Sequence, residues 1–428
     1  MNRIVYFALG LGLSFAVGAA AAAPQPVAFV GGTVHPVSGP PLAGATMLLE
    51  GTTILGIGKG LELPAGTQVV DVTGKHLYPG FIAAATDLGL VEISSVRATN
   101  DTREMGDNNA NLRAEVAWNA ESLRLLPAAR GGVLTAHVAA SGGLFTGTSA
   151  AMRVAGWNWR DMTLRAPVGL HVDWPSFAPP PEGTSPEDAA KKRKEELKVI
   201  DDVLAEARAY GQARQAAADK KGPVVDFDPR LEALLPALAG EIPWFFHADS
   251  KAQIESVLDW VADKGFTRVI LVSGYDAASV ADRLAKAKIP VILTEIHRLP
   301  NRHWEPYDQP FTAAARLQAA GVTFAIAGNS DSSNVRNLPF EAATAAAFGL
   351  SKDLALAAIT LAPAQILGIA DRVGSLEAGK EATFFIADGD PLEIVTKIER
   401  VWVAGQELDL TQDHQWRLYQ KYQNRPKP

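Results

Sequence analysis

The sequence predicts an α/β protein in which short parallel strands alternate with helices. Four apolar runs are typical of buried strands, and helical patterns stand between them. The strand runs are 242–247, 268–272, 289–293 and 322–327, and two of the helical patterns are 252–264 and 277–287. Alternation of this kind predicts a parallel sheet. A chain of 428 residues is long enough to close that sheet into a TIM-type (β/α)8 barrel and to add a small second domain.

Both ends of the chain carry further strand signals. Residues 27–78 contain several short apolar runs separated by glycine turns, and residues 382–387 and 400–405 are apolar runs of the same kind. The first group alone is too small to bury a core. We therefore expect it to find partners elsewhere in the chain.

A polar insertion interrupts the barrel pattern at 179–222. Three prolines open it at 179–181, and Ser185 and Pro186 are typical of a helix start. Residues 189–215 are rich in Ala, Lys, Glu and Arg, which predicts an exposed helix covering one side of the barrel. A membrane-binding or calmodulin-binding helix is the alternative, although the two signs of charge are mixed along it.

Composition narrows the classes of partner and chemistry. The net charge is −7, so neither nucleic acid nor an anionic membrane is expected as a partner. Cysteine is absent, which excludes disulfides and thiolate chemistry. A small-molecule substrate is the expected partner.

The first 23 residues predict a secretory signal peptide. Arg3 supplies the positive start, 4–17 the apolar core, and the alanines at 19–23 the cleavage zone. An uncleaved membrane anchor is the alternative. With cleavage, the mature chain is predicted to be periplasmic or secreted and to have no contact with the membrane.

One stretch suggests a family. Residues 78–88 read YPGFIAAATDL and follow a polar turn at 71–75. They resemble the strand that opens the barrel of the amidohydrolase superfamily, and residues 373–382 are similar to the closing signature of its imidazolonepropionase-like members. The resemblance implies a signal at 1–23, a composite β-sandwich from 24–78 and 373–428, and a barrel at 79–372.

The resemblance also implies a metal site. In the family, two alternating histidines on the first strand bind metal, and here those positions are Ala85 and Asp87. A carboxylate can replace histidine on zinc, so Asp87, His247 and Asp331 are the candidate ligands. Asp331, which follows the eighth strand, is also the candidate catalytic base. Helix caps or buried structural roles are the alternatives for these residues.

Other expected features are displaced or absent. No histidine follows the sixth strand, where the chain reads Ser273-Gly274. His137 and His171 lie near strand ends, and a rearranged site could recruit them. After the seventh strand, Arg298, Arg302 and His303 are candidate substrate-binding residues, with the two arginines holding an anionic group. A solvated basic loop is the alternative.

Two functions follow from these residues. The first is a hydrolase of a C–N bond, in a cyclic amide or a dipeptide-like compound, that uses zinc or another divalent metal at a degraded site. The second is a metal-free, catalytically inactive member that binds a small ligand. Such a protein could form a homo-oligomer or partner an intact paralogue in a mixed oligomer.

Overall fold

The computed structural model of the protein describes residues 25–328 and 331–426. The predicted signal at 1–23 lies outside the described residues. None of the described helices is long and apolar enough to cross a membrane. In chain order the strands are β1 (Val27–Val34), β2 (Leu42–Glu50), β3 (Thr53–Gly58), β4 (Gln68–Asp71), β5 (His76–Pro79), β6 (Phe81–Thr86), β7 (Val133–Val138), β8 (Phe145–Thr148), β9 (Ala150–Arg153), β10 (Thr163–Arg165), β11 (Leu170–Asp173), β12 (Trp244–His247), β13 (Val269–Ser273), β14 (Val291–Thr294), β15 (Phe324–Gly328), β16 (Phe384–Ala387), β17 (Ile398–Val403) and β18 (Gln406–Glu407).

The helices lie mostly between the central strands. They are α1 (Leu125–Arg130), α2 (Trp159–Met162), α3 (Pro186–Ala218), α4 (Pro229–Leu238), α5 (Lys251–Lys264), α6 (Ala281–Ala287), α7 (Gln309–Ala319), α8 (Leu338–Ala347), α9 (Lys352–Ala357), α10 (Leu361–Ile366) and α11 (His414–Gln423). The predicted α/β class is confirmed by this alternation of strands and helices.

The strands at the two ends of the chain share one sheet. Its order is β18-β17-β16-β5-β1-β2-β3, with β4 beside β1. The junction is the antiparallel pair β5 and β16, in which Phe384 lies opposite Pro79. Phe29 contacts the ring of Trp402 edge-on at 4.8 Å, so the core of this sheet also joins the two ends. The exact domain boundaries stay a prediction.

The central strands form two further sheets. One has the order β10-β9-β7-β6 and the other β15-β14-β13-β12-β11-β8. Neighbouring strands from β11 to β15 are parallel, and β15 lies beside β6. Hydrogen-bonded pairing in the described residues therefore gives two open sheets rather than a closed ring. Closure of these sheets into a barrel stays a prediction.

The insertion is dominated by α3, a helix of 33 residues. The Ser185 hydroxyl accepts a hydrogen bond from the Asp188 N–H at 3.0 Å, and Pro186 occupies the first turn, where its missing N–H costs nothing. One narrow face is buried, at Ile200, Leu204, Ala207 and Tyr210. The rest of the helix faces solvent, which explains its high content of charged residues.

Candidate active site

The carboxyl ends of four parallel strands form the wall of a large cavity. The cavity has a volume of about 1220 Å³, and residues that follow β11, β12, β13 and β14 line it. These include Ser176, Asp249, Tyr275 and Glu295. In parallel α/β sheets, ligands bind at the carboxyl ends of the strands. The cavity is therefore the candidate substrate site.

His247 ends β12 and contacts a second histidine. Its Nε2 lies 2.8 Å from Nδ1 of His171 on β11. The His171 ring stacks on Phe245 at 4.5 Å between centroids. Burial holds the pKa of His171 well below its usual value, and the neighbouring His247 acts in the same direction. His171 is therefore neutral at physiological pH.

His137, on β7, completes a row of three histidine rings. Its Nδ1 lies 2.6 Å from the Ala84 carbonyl oxygen, and its ring centroid is 5.6 Å from that of His171. Burial lowers the pKa of His137 to about 4. The Nε2 atoms of His137 and His171 are buried and have no hydrogen-bond partner among the described residues. The possibility that a rearranged site recruits these two histidines therefore has geometric support.

Asp87 and Asp331 are the two candidate carboxylates. Asp87 follows β6, and its Oδ1 accepts a hydrogen bond from the Ser332 N–H at 2.5 Å. Burial raises the pKa of Asp87 to about 6, against that hydrogen bond, and the Asp331 carboxylate also raises it. Asp331 accepts a hydrogen bond from the Ser333 N–H at 2.7 Å, within the turn that precedes residue 335.

These donors do not fit a three-ligand metal site. Within 25–328 and 331–426, no three His, Cys, Asp or Glu side chains come together as a group that could hold a metal ion. His247 contacts His171, and the Asp87 carboxylate accepts a hydrogen bond from the backbone N–H of residue 332. The metal-ligand role expected of His247, Asp87 and Asp331 stays a prediction. Catalytic zinc usually has three protein ligands, and the two orphaned imidazole nitrogens supply only two.

The two arginines after β14 have different environments. Arg302 forms ion pairs with Asp276 and Glu305, each at 2.6 Å. Arg298 lies on the cavity wall and donates from Nε to the Gly274 carbonyl at 3.0 Å. Its Nη1 has no hydrogen-bond partner among the described residues. His303 is exposed and lies outside the cavity wall as described. Arg298 and Arg302 both line the cavity, and Arg302 is the one already paired with carboxylates.

Tyr275 and Lys251 are site residues that the sequence analysis missed. The guanidinium carbons of Arg298 and Arg302 lie 4.0 and 4.8 Å from the centroid of the Tyr275 ring. These cation–π contacts hold both side chains in place. Lys251 begins α5 and lines the cavity. Each comes within four residues of a strand end, and that position is the signal that could have identified both.

The comparisons with known proteins agree with this geometry. A family model described as the amidohydrolase family matches residues 264–408. An amidohydrolase of Thermotoga maritima has a structure that superposes with a TM-score of 0.78 at 24% identity, covering 89% of this chain and 99% of that one. Residues 264–408 thus resemble the amidohydrolase family, and the chain has the fold of the Thermotoga maritima amidohydrolase. The match contains Arg298, Arg302, His303 and Asp331 but not Asp87 or His247, and the imidazolonepropionase-like branch is not confirmed.

Two further proteins extend the comparison. Phenylurea hydrolase B has a structure that superposes with a TM-score of 0.53 at 17% identity, covering 90% of this chain and 97% of that one. Amidohydrolase tasK of Hapsidospora irregularis is 26% identical over 181 residues, which are 42% of this chain and 18% of that protein. The chain therefore spans less than a fifth of the length of this curated relative. The structural likeness shows the fold.

Proposed function

We propose that this protein is an amidohydrolase that cleaves a C–N bond in a small molecule that carries a carboxylate, such as an N-acyl amino acid, a dipeptide or a related cyclic amide. The observation that carries the proposal is Arg298. Its guanidinium lies on the wall of the cavity at the strand ends, and its Nη1 has no hydrogen-bond partner among the described residues. The family supplies the hydrolytic class, and the cavity supplies the substrate class.

A closed barrel is part of the same proposal. Strand β15 lies beside β6, and joining them would merge the two central sheets into one. A second junction at the other edges, where β8 leads directly into β9, would close that sheet into a ring. A ring of this kind would place Asp87, His247 and Arg298 at one mouth, since each follows the carboxyl end of a strand. The superposition on the Thermotoga maritima amidohydrolase over 89% of the chain supports this arrangement.

The fixed geometry of Arg298 suits recognition of a carboxylate. Its Nε and Nη2 donate to the carbonyl oxygens of Gly274 and Tyr275 at 3.0 and 3.3 Å, and its plane lies over the Tyr275 ring. Little side-chain entropy then remains to be lost when a ligand binds. The remaining donor, Nη1, would form a charge-assisted hydrogen bond with a carboxylate oxygen. Lys251 on the same wall adds a second positive charge.

Acidic side chains line the same cavity. Asp249, Glu255 and Glu295 balance Lys251, Arg298 and Arg302 on its wall. Arg302 is already paired with Asp276 and Glu305, so it does not neutralise Asp249, Glu255 or Glu295. These carboxylates could accept a hydrogen bond from an amine or amide N–H of the substrate. A cavity wall with both positive and negative side chains favours a ligand that has a carboxylate at one end and nitrogen at the other.

The chemical step requires a proton acceptor and a proton donor. Water oxygen forms a bond with the carbonyl carbon, the C–N bond breaks, and a proton from water passes to the leaving nitrogen, which gives an acid and an amine. Asp87 is the carboxyl group we assign to this transfer, since a pKa of about 6 lets it both accept and return a proton near neutrality. Asp87 is not among the residues that line the cavity, so the substrate must extend from Arg298 toward β6.

The family implies zinc or another divalent metal, which would activate water when bound. The described donors do not fit such a site, and the transfer above is therefore assigned to side chains alone. This same observation favours the second candidate function, a catalytically inactive protein that binds a small ligand or partners a paralogue. We propose that in either case the mature chain works in the periplasm or outside the cell.

The test compares binding with turnover. N-acetyl-L-phenylalanine and glycyl-L-phenylalanine are offered to wild type and to Arg298→Met, each beside the corresponding C-terminal amide. We expect the wild type to hydrolyse the acids in preference to the amides, and Arg298→Met to raise KM by about 10- to 100-fold because a charge-assisted bond is lost. Metal content is measured on the same samples.

The control is Arg283→Met, which removes an arginine that pairs with Asp259 at the surface. It should leave KM unchanged. Binding of the acids without release of amine would support the inactive ligand-binding protein. Equal KM values for acids and amides, or no effect of Arg298→Met, would overturn the assignment of Arg298. Stoichiometric metal that disappears in His247→Ala would show that the chemistry uses a metal after all.

A further inference from the structure

A second cavity, remote from the strand-end site, contains a buried carboxylate. It has a volume of about 350 Å³ and lies between the segment 110–115, Pro167 and the helix α4. None of its lining residues is shared with the larger cavity. Its features therefore call for an explanation independent of the proposed hydrolase.

Glu115 is the unusual member of this wall. It is only 2% exposed, and its Oε1 accepts a hydrogen bond from Arg113 Nε at 2.8 Å and forms an ion pair with Arg113 Nη2 at 2.6 Å. Its Oε2 is buried and has no hydrogen-bond partner among the described residues. A buried carboxylate oxygen without a donor is costly to the folded state. A ligand that supplies a donor there would remove that cost.

The rest of the wall indicates what that ligand looks like. Most of the lining is apolar, and part of it comes from α4 and from the start of the strand that follows. The apolar members are Ala110, Ala166, Pro167, Phe227, Pro229, Ala233, Pro236 and Ile242. Apolar pockets with one placed polar group are typical of small-molecule sites. A compact hydrocarbon body with a single donor group fits this surface.

The unpaired carboxylate oxygen selects a cation. The charged residues on the wall are Arg113, Glu115 and Glu232. Arg113 is engaged with Oε1 of Glu115, and Glu232 accepts a hydrogen bond from the Tyr210 hydroxyl at 2.8 Å and lies 3.7 Å from Nε of Arg214. Among the described residues, Oε2 of Glu115 is therefore the carboxylate oxygen of this wall that is buried without a partner. An ammonium group has donors and no acceptor, so it can donate to Oε2 of Glu115 without placing an acceptor atom next to the carboxylate.

We infer that this cavity binds a small primary amine with an apolar body, held by an ion pair between its ammonium group and Glu115. The apolar part lies against α4, and exposed Phe227 forms the rim. Nothing in this site depends on the residues assigned to hydrolysis. The amine is a ligand of the protein at a place separate from the substrate.

The probes are benzylamine and benzyl alcohol, which have nearly the same shape and differ in charge. Calorimetry on the full chain should show binding of benzylamine in preference to benzyl alcohol. Glu115→Gln keeps the size of the side chain and removes its charge, so benzylamine should bind at least about tenfold more weakly. Two matched controls, Glu255→Gln and Arg298→Met on the larger cavity, should leave benzylamine affinity unchanged.

A second variant covers the case in which Glu115→Gln does not fold. Ala233→Leu fills the cavity from α4 without touching the carboxylate, and it should abolish benzylamine binding in a folded protein. The inference is overturned by any of three results. Benzylamine does not bind wild type better than benzyl alcohol, its affinity is equal in wild type and Glu115→Gln, or its binding persists in Ala233→Leu.

Discussion

Arg298 and Arg302 lie four residues apart on one loop, and the tertiary structure gives them opposite roles. Both oxygens of Asp276 accept hydrogen bonds from Arg302, at 2.9 and 2.6 Å, and the Asp276 side chain is only 4% exposed. Arg298 has carbonyl partners and no acidic one among the described residues. Arg302 therefore stabilises the loop, and Arg298 is the arginine that we propose binds a ligand.

Replacing Arg302 should affect stability rather than binding. Arg302→Met retains much of the volume but leaves the buried Asp276 carboxylate without its cation. We expect a loss of about 3–5 kcal/mol in the free energy of unfolding, measured by urea denaturation. Asp276→Asn added to Arg302→Met should recover part of that loss, because the unpaired charge is gone. A loss below about 1 kcal/mol for Arg302→Met would show that the pair behaves like an exposed one.

At the scale of secondary-structure elements, two histidines join the strands β1 and β5. His35, just past β1, lies with its Nε2 2.9 Å from Nδ1 of His76, the first residue of β5. The His35 ring also stacks on Tyr78 at 4.1 Å. Burial, and after it the neighbouring His76, lower the pKa of His35 to about 4, while Asp390 and Asp353 act in the opposite direction. Protonation of His35 therefore opposes the native packing of these strands.

The pH dependence of stability follows from that shift. The folded pKa of His35 is about 4 and the ordinary value is 6.5, so the unfolded chain binds more protons between those values. The contribution of neutral His35 is complete above the ordinary pKa and is lost as the pH falls toward 4. For a partly exposed group this amounts to about 1–2 kcal/mol. In urea unfolding at pH 7 and pH 5, His35→Gln should show a smaller difference than wild type.

Other buried histidines also contribute to the pH dependence of stability. Burial also lowers the pKa values of His137 and His171. Protonation of these two histidines therefore also destabilises the folded state as the pH falls. His35→Gln should therefore reduce the pH dependence without removing it. An unchanged difference between the two pH values would mean that His35 does not titrate with folding.

At the scale of the whole molecule, the two ends of the chain meet at a backbone contact. Gly405, in the turn between β17 and β18, has φ +79°, and a Cβ atom placed on it would lie 1.9 Å from the Gly51 carbonyl oxygen. Gly51 belongs to the turn between β2 and β3. Only glycine permits both this backbone conformation and this approach. The contact holds the terminal hairpins together across the shared sheet.

Gly405→Ala should therefore destabilise the protein far more than an ordinary glycine substitution. We expect a loss above about 4 kcal/mol, because the obstructing atom is backbone and cannot turn away. Gly265→Ala is the matched control, since Gly265 has φ +73° and open space around it. Its cost should be about 1–2 kcal/mol, from the left-handed conformation alone. Similar melting temperatures for the two variants would contradict a tight junction between the chain ends.

Much of the architecture was readable from local pattern. Apolar runs of strand length between helical patterns predicted the α/β class, and Ser185 with Pro186 marked the start of α3. The stretch 78–88 indicated the superfamily. These signals are local because the periods of strands and helices, and the chemistry of caps, involve residues a few positions apart.

The site itself was decided by tertiary structure. Sequence alone named His247 but not its contact with His171, 76 residues earlier. It grouped Arg298 with Arg302, and it could not show that Arg302 forms an ion pair with Asp276. It offered Asp87 as a metal ligand, whereas in the described structure that carboxylate accepts a hydrogen bond from a backbone N–H 245 residues away. Strand register and loop packing fix such distances, and neither is contained in the spacing of residues along the chain.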